Sequence, residues 1–508
     1  MLLRSRLVRE NLEVDVSHRS STKEAASPEA KQASASDQLA LGLDASPIPR
    51  RQPEIAPASR IYVNRNLRLS TIKWVGFDMD YTLARYRQDA MDKLSIEATV
   101  KKMVERGRPE SLLTAHFDST FPIRGLHVDR QLGNVLKMDR YRYVKRAFHG
   151  SRELTAEERK ATYRGKPVLP GTKRFHWVDT LYALPEVAVF TGAVDHLEGL
   201  ARARGEEPAI DYAALFDEVR QSIDAAHQDG SINGVIEKDF ARYVERDPLL
   251  PETLHQLRAS GKKLFLLTNS RAGYSDRMMR FLLDGALDAL PDWKSYFDIV
   301  ICFARKPSFF QETARPFVIM DEAHQPLRET DVLEPGQVHE GGCLGPLEKA
   351  LGVTGDEILY VGDHIYGDVL RAKKESAWRT MMVVQEMESE LRAHALAEPE
   401  LKRLEGIADE AEELHDLLAN PTLDAASRAA VHARLVALEL AHDALEESAE
   451  KAFHARWGSL FKVGPEVSSF GDQIERFACI YSERVSNLLR YANSHYFRGP
   501  LDRMPHER

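Results

Sequence analysis

Ile72-Lys73-Trp74-Val75-Gly76-Phe77-Asp78-Met79-Asp80-Tyr81-Thr82-Leu83 is the stretch on which the fold turns. A short, bulky apolar run stops at two carboxylates on alternate positions. Such a run, bounded by polar turn residues, predicts a buried strand of a parallel sheet. Strands of open α/β sheets present their chemistry just past their carboxyl ends. Asp78 and Asp80 then leave the core together, roughly 6–7 Å apart at the per-residue rise of a strand. Two neighbouring anions repel, so the pair asks for a cation or for one protonated member. A hard divalent ion with oxygen ligands meets the first need, and an acid/base partner beside a nucleophile meets the second. Carboxylates at a strand end also serve as plain helix caps, so the rest of the chain has to decide.

Comparable runs recur downstream. Lys263-Leu264-Phe265-Leu266-Leu267 ends at Thr268-Asn269-Ser270, and Phe297 to Ala304 ends at Arg305-Lys306-Pro307. Glu357 to Gly362 ends at Asp363 and runs into His364-Ile365-Tyr366-Gly367-Asp368. Arg379 to Val384 is a fifth strand candidate. Strands alternating with helical segments predict a doubly wound parallel α/β sheet, with these polar ends gathered on one edge. Taken singly, Thr268 and Asn269 read as helix caps, Lys306 as a solvated charge and Asp363 as a turn residue. Their joint occurrence at successive strand ends favours a phosphoryl-transfer site. There Asp78 is the nucleophile and Asp80 the acid/base. Thr268 and Asn269 donate to the transferring group, and Lys306 neutralises it. Asp363, Asp78 and the Asp80 carbonyl hold Mg²⁺, while Asp368 holds a metal-bound water or orients the loop.

These strings resemble the four motifs of the haloacid dehalogenase superfamily. Phe77-Asp78-Met79-Asp80-Tyr81-Thr82-Leu83 resembles, more narrowly, the cytosolic purine 5′-nucleotidases. Phe117-Asp118-Ser119-Thr120-Phe121-Pro122, Arg305-Lys306-Pro307, Gly362-Asp363-His364-Ile365 and Met504-Pro505-His506-Glu507 extend the likeness over about 61–505. The resemblance implies a haloacid dehalogenase-like core at 58–110 and 246–385. It also implies a cap for substrate recognition at 111–245. The activity it implies is Mg²⁺-dependent hydrolysis of purine nucleoside 5′-monophosphates, IMP and GMP first, with phosphotransfer to a nucleoside as a side reaction. In that family an aromatic ring and an Arg-x3-Asp-x2-His cluster hold the base, and the matching residues are Tyr182, Arg220, Asp224 and His227. The last three stand at i, i+4 and i+7, one face of one helix, able to meet a 6-oxopurine edge while Tyr182 stacks. Taken without the resemblance, they read as a surface Arg220–Asp224 ion pair and an incidental histidine.

The chain also departs from the family. Tyr182 stands for Phe, Asp179 and Ala183 stand for Asn, and Asn233 stands for a lysine, which leaves base preference open. Some members bind nucleotide effectors beside the helix after the fourth motif. Tyr366, Lys374, Gln473 and Arg476 match that region, whereas Phe477 replaces a Tyr and Pro170 an Arg. Family likeness further implies a homo-oligomer, dimer or tetramer. Two other readings stand beside the nucleotidase: a phosphatase of another small phosphate ester, and a non-catalytic nucleotide sensor.

The 508 residues carry a net charge of −9, which gives no global attraction to nucleic acid or an anionic membrane. Three scattered cysteines, Cys302, Cys343 and Cys479, form no disulfide framework or zinc spacing and suit a reducing cytoplasm. No apolar run reaches membrane-spanning length. Residues 1–57, rich in Ser, Ala and Pro, are expected to be disordered. The Ala/Glu/Leu-rich stretch 386–453, broken at Asn420-Pro421, predicts an antiparallel helical hairpin. The segment 454–508 is expected to be helical and packed on the core.

Overall fold

The computed structural model describes residues 55–500, apart from 166–167 and 170–171. The expectation of disorder at 1–57 therefore lies outside the described residues except at its last three positions, where Pro57 opens a 3₁₀ turn, Pro57–Ser59. The string 504–507 and Pro170 also lie outside them.

The quoted stretch forms the strand Trp74–Phe77, buried at every position. It lies inside a ten-stranded sheet. On one side it pairs in parallel with Lys263–Leu267, which is followed outward by Ile299–Cys302 and Val338–Gly341. On the other it pairs in parallel with Ile358–Gly362, then Arg379–Val383 and Ile480–Ser482. The chain thus moves outward on one side of Trp74–Phe77 and later returns to build the other. That reversal leaves a crevice at the carboxyl ends of Trp74–Phe77 and its neighbours, where ligands of open α/β sheets bind. Gly76 is required for this packing: a Cβ there would fall 2.0 Å from the Phe265 ring. The sheet closes on antiparallel edges, Tyr62–Val63 at one end and the Phe317–Met320/Pro326–Thr330 hairpin at the other.

The four motif strands and the Arg379 strand form where the apolar runs place them. Elsewhere the structure adds to the sequence reading or changes it. The insertion opens on the helix Gln88–Glu105. The polar region after it contains a five-stranded antiparallel sheet, His127–Asp129, Asn134–Met138, Val144–His149, Arg152–Glu153 and Phe175–Trp177. The C-terminal part is mixed rather than helical: after the helix Ser469–Phe477, Ile480–Ser482 joins the large sheet in parallel with Arg379–Val383.

The insertion hangs from the core by a short ribbon. The chain leaves through Arg85–Tyr86 and returns through Val244–Glu245, and the two strands pair antiparallel, Tyr86 opposite Val244. Between them the helices Gln88–Glu105, Leu184–Ala203 and Tyr212–Gln228 pack together. The apolar run Val187-Ala188-Val189-Phe190 is the buried interior of the second of these. The expected hairpin is present as Met387–Leu418 and Ala425–Glu450, the second helix capped by Asp424 accepting from the Ser427 amide. Two buried cations join insertion, core and C-terminal segment. The Lys137 ammonium donates to the carbonyls of Trp457, Ser459 and Lys462. The Arg124 guanidinium, 1% exposed, donates to the Asp363 carbonyl (2.9 Å) and grips Glu386 at the foot of the hairpin.

Candidate active site

The crevice gathers the predicted strand-end residues. Asp78 follows Phe77 directly, its amide bonded to the Val361 carbonyl of the neighbouring strand (2.9 Å). Lys306 reaches across from the end of Ile299–Cys302. Its Nζ lies 2.9 Å from Asp78 Oδ1, 2.7 Å from Asp368 Oδ1 and 3.0 Å from the Tyr360 hydroxyl. Asp78, Asp363 and Asp368 each offer a carboxylate oxygen within 4.8 Å of the others, and all three residues are buried. Gly362 makes room for this cluster, since a Cβ there would meet Asp368 Oδ2 at 2.6 Å.

The charge balance shows what the cluster lacks. Three carboxylates face one ammonium. Burial pushes Asp78 well above the usual carboxylate range despite Lys306, and Asp368, Asp363 and Asp80 add to the push. Burial, with Asp368 next, carries Asp363 up to about 7. For Lys306, burial is outweighed by the carboxylates of Asp368 and Asp78, which hold its proton firmly. Asp363 Oδ2 is buried with no hydrogen-bond partner. A surplus of buried negative charge with one orphaned carboxylate oxygen fits a hard divalent cation such as Mg²⁺.

Asp80 stands apart from that cluster. Its Oδ1 accepts from the Tyr86 hydroxyl (2.7 Å) and its Oδ2 from the Ser270 hydroxyl (2.6 Å). Tyr86 is in turn 2.8 Å from the Tyr274 hydroxyl. Burial raises the Asp80 pKa, and the Ser270 and Tyr86 hydroxyls pull it back. The Asp80 side chain is thus turned onto two hydroxyls and is not a fourth carboxylate of the Asp78, Asp363 and Asp368 cluster.

Thr268 is fully buried; its Oγ1 accepts from the Ser270 amide (3.1 Å), which leaves its O–H to donate. Asn269 holds the Lys306 backbone, its Oδ1 accepting from the Lys306 amide (2.6 Å) and its Nδ2 donating one hydrogen to the Lys306 carbonyl (3.1 Å). It thereby clamps the lysine-bearing loop, a part the sequence did not show.

The base-recognition residues are brought together only in part. Tyr182 meets Tyr81 edge to face (centroids 4.9 Å) and His227 (5.6 Å), and His227 Nδ1 is 3.4 Å from Asn233 Oδ1. Tyr182 also meets the ring of Tyr86 (centroids 6.3 Å), which bonds Asp80. Arg220 and Asp224 are exposed. Arg220 pairs with Glu186 of the adjacent helix (3.3 Å), not with Asp224 as the i, i+4 spacing suggested. Asp179, noted only as a departure from the family, ties the insertion to the core: its Oδ2 is 2.9 Å from His364 Nε2.

Sequence reasoning missed Tyr86, Ser270, Tyr274, Glu186 and Arg124. Ser270 sat within a quoted strand-end string and Tyr274 lies one turn into the core helix that follows it; Tyr86, Glu186 and Arg124 become neighbours of the site only through the way the insertion packs on the core.

The family model described as the 5′ nucleotidase family matches residues 61–508. A 5′-nucleotidase domain-containing protein of Dictyostelium discoideum is 29% identical over 477 residues, 92% of this chain and 77% of the relative. The human 5′-nucleotidase domain-containing protein 2 is 29% identical over 469 residues, 88% of this chain and 85% of the relative. A crystal structure of a predicted phosphoglycolate phosphatase from Haemophilus somnus matches 62% of this chain and 86% of its own, at 14% identity and a TM-score of 0.24, too slight a likeness to argue from.

Proposed function

The chain belongs to the 5′-nucleotidase family and is built on a large, mostly parallel α/β sheet, and on that premise we propose that it is a haloacid dehalogenase-type phosphatase that hydrolyses purine nucleoside 5′-monophosphates, IMP and GMP preferred, through an aspartyl-phosphate on Asp78. The observation that carries the chemistry is the division of labour at the crevice. Asp78 sits in the carboxylate cluster with Asp363 and Asp368, bound by Lys306, while Asp80 is turned aside onto two hydroxyls. One carboxylate is placed to attack and the other to exchange a proton.

In this reading the Asp78 oxygen forms a bond to phosphorus as the bond to the nucleoside 5′ oxygen breaks, and Asp80 passes its proton to that oxygen. Water then takes the phosphoryl group from Asp78, returning a proton to Asp80. Lys306, fixed by Asp368, Tyr360 and the Asn269 clamp, balances charge on the transferring oxygens. Thr268 donates its hydroxyl to them. Asp78, Asp363 and Asp368 are the residues that would hold Mg²⁺, with the Asp80 carbonyl; a bound ion would neutralise phosphoryl charge and lower the repulsion met by Asp78. A nucleoside entering before water would receive the phosphoryl group, giving phosphotransfer. Tyr182, His227 and Asn233 form the near wall of the base site.

A second reading, a phosphatase of another small phosphate ester, draws on Arg220. Its guanidinium is engaged by Glu186, and Asp224 beside it is exposed, so the outer half of the base site is not set for a purine edge. Phosphate release with Mg²⁺ from IMP, GMP, AMP, CMP and a set of sugar phosphates, wild type beside Asp78→Asn, separates the readings. The nucleotidase reading expects 6-oxopurine preference abolished in the variant. Equal rates on sugar phosphates would remove the purine assignment. Phosphate release surviving in Asp78→Asn would remove the nucleophile.

A further inference from the structure

The carboxylate assigned to proton transfer has a support the family motif does not contain, and this inference rests on that assignment. We infer that Tyr86, backed by Tyr274 and joined by Ser270, is the positioning device for Asp80, and that it ties proton transfer to the seating of the insertion.

Asp80 has an alternative. Lys306 attracts it electrostatically, and turning toward that ammonium would bring it to the surplus of charge on Asp78, Asp363 and Asp368. Each Asp80 oxygen is instead claimed by a different hydroxyl, Oδ1 by Tyr86 (2.7 Å) and Oδ2 by Ser270 (2.6 Å). Two donors on two oxygens fix the rotation of the carboxylate plane, as one would not. Because the Tyr86 proton goes to Asp80, the 2.8 Å contact with Tyr274 makes Tyr274 the donor to Tyr86. The chain Tyr274 to Tyr86 to Asp80 polarises the inner hydrogen bond and restrains the Tyr86 hydroxyl.

The three hydroxyls come from two parts of the fold. Ser270 and Tyr274 belong to the core, just before and within the helix Ala272–Leu283. Tyr86 belongs to the outgoing strand of the ribbon that carries the insertion, opposite Val244 on the returning strand. Its ring also meets Tyr81 (4.8 Å) and, on the insertion, Tyr182 (6.3 Å), the residue assigned to stack on the base. A change in the seating of the insertion reaches Tyr86 through the ribbon and through Tyr182. Asp80 is therefore held for proton transfer when the insertion is in place.

The test compares leaving groups. A nucleoside 5′-alkoxide needs a proton to depart, whereas p-nitrophenolate leaves as a stable anion. Wild type, Tyr86→Phe and Tyr274→Phe are assayed with Mg²⁺ on IMP and on p-nitrophenyl phosphate. With Tyr86→Phe, kcat/KM on IMP, which reports departure of the leaving group and not the later hydrolysis of the aspartyl-phosphate that also uses Asp80, is expected to fall about 10–100-fold, a part of what general acid–base catalysis supplies, while kcat/KM on p-nitrophenyl phosphate changes by less than about threefold. Tyr274→Phe, which keeps the Tyr86–Asp80 bond, gives a smaller loss with the same selectivity and stands in if Tyr86→Phe does not fold. Equal losses on both esters would mean that the tyrosines only support the fold, and no loss on IMP would mean that Asp80 is placed without them; either overturns the inference. Wild type inactive on both esters would instead overturn the phosphatase reading, and this inference with it.

Discussion

His364 Nε2 lies 2.9 Å from Asp179 Oδ2, and this pair joins the loop carrying Asp363 to the insertion that covers it. Asp179 also accepts from the Tyr366 amide (3.3 Å), so one carboxylate of the insertion grips the loop twice. For His364, burial opposes the charge, but the Asp179 carboxylate wins and the pKa rises to about 9. The group binds its proton more tightly folded than unfolded, where a histidine titrates near 6.5. Its contribution to stability is therefore fully present below about pH 6.5 and is lost as pH rises through about 9. Urea unfolding of wild type and His364→Gln at pH 6 and pH 9.5 checks this. The expected difference is on the order of 2 kcal/mol at pH 6, shrinking at pH 9.5. A difference that grows with pH would mean that the pair is not held by the charged imidazole.

Removing the orphaned carboxylate oxygen tests the metal reading without any assay of turnover. A cation bound to the folded chain alone raises its melting temperature with concentration. Mg²⁺ in the millimolar range is expected to raise the wild-type Tm by several degrees. Asp363→Asn should abolish most of that shift and, having lost one of three crowded carboxylates, melt no lower than wild type in EDTA. An undiminished Mg²⁺ shift in the variant would place the ion elsewhere.

Asn269 gives a prediction that separates contact from support. Its two hydrogen bonds end on the backbone of Lys306, not in the crevice. Asn269→Ala should lower kcat about 10–100-fold by loosening Lys306 while leaving KM within about threefold, since an ordinary hydrogen bond of this kind contributes about 1 kcal/mol and two are lost. A large rise in KM with unchanged kcat would instead mean that the carboxamide meets the substrate.

The central strands and their polar ends were legible because each is one unbroken apolar run, and the parallel sheet brings all the carboxyl ends to one edge. The hold of Asn269 on the Lys306 backbone was not legible, although its place at the strand end was: position follows from the strand, while the direction of a carboxamide depends on the loop at 303–306. The insertion's sheet was not legible. Val144–His149 carries Lys145 and Arg146 inside a strand, and Arg146 is answered by Glu450 on the distant hairpin. Lys137, 3% exposed in the middle of Asn134–Met138, is satisfied by carbonyls some 320 residues away, although burial brings its pKa down to about 7. Local pattern carries no trace of such partners. Ile480–Ser482 is three residues long and becomes a strand between Arg379–Val383 on one side and Tyr62–Val63, more than 400 residues earlier, on the other. Tyr86 likewise gains its meaning from Val244 and Tyr274, neither of which is near it in sequence.

Glu186 decides what Arg220 can do for a substrate. Burial carries its pKa up to about 7 despite the Arg220 guanidinium, so the pair is weak near neutral pH. A carboxyl group raised in the folded state favours its protonated form there, and stability from it falls as pH rises from about 4.5 toward and past 7. Glu186→Gln removes that cost and should unfold later than wild type at pH 8, by about 1–2 kcal/mol. The same substitution frees the Arg220 guanidinium for a base carrying a carbonyl edge. If Arg220 serves base recognition, Glu186→Gln should lower KM for IMP relative to p-nitrophenyl phosphate, and Arg220→Ala should raise it about tenfold with little change for the ester lacking a base, the loss of one hydrogen bond to a charged group. Should Arg220→Ala change both KM values alike, or neither, the arginine belongs to the packing of two helices and the purine edge is read by Tyr182, His227 and Asn233 without it.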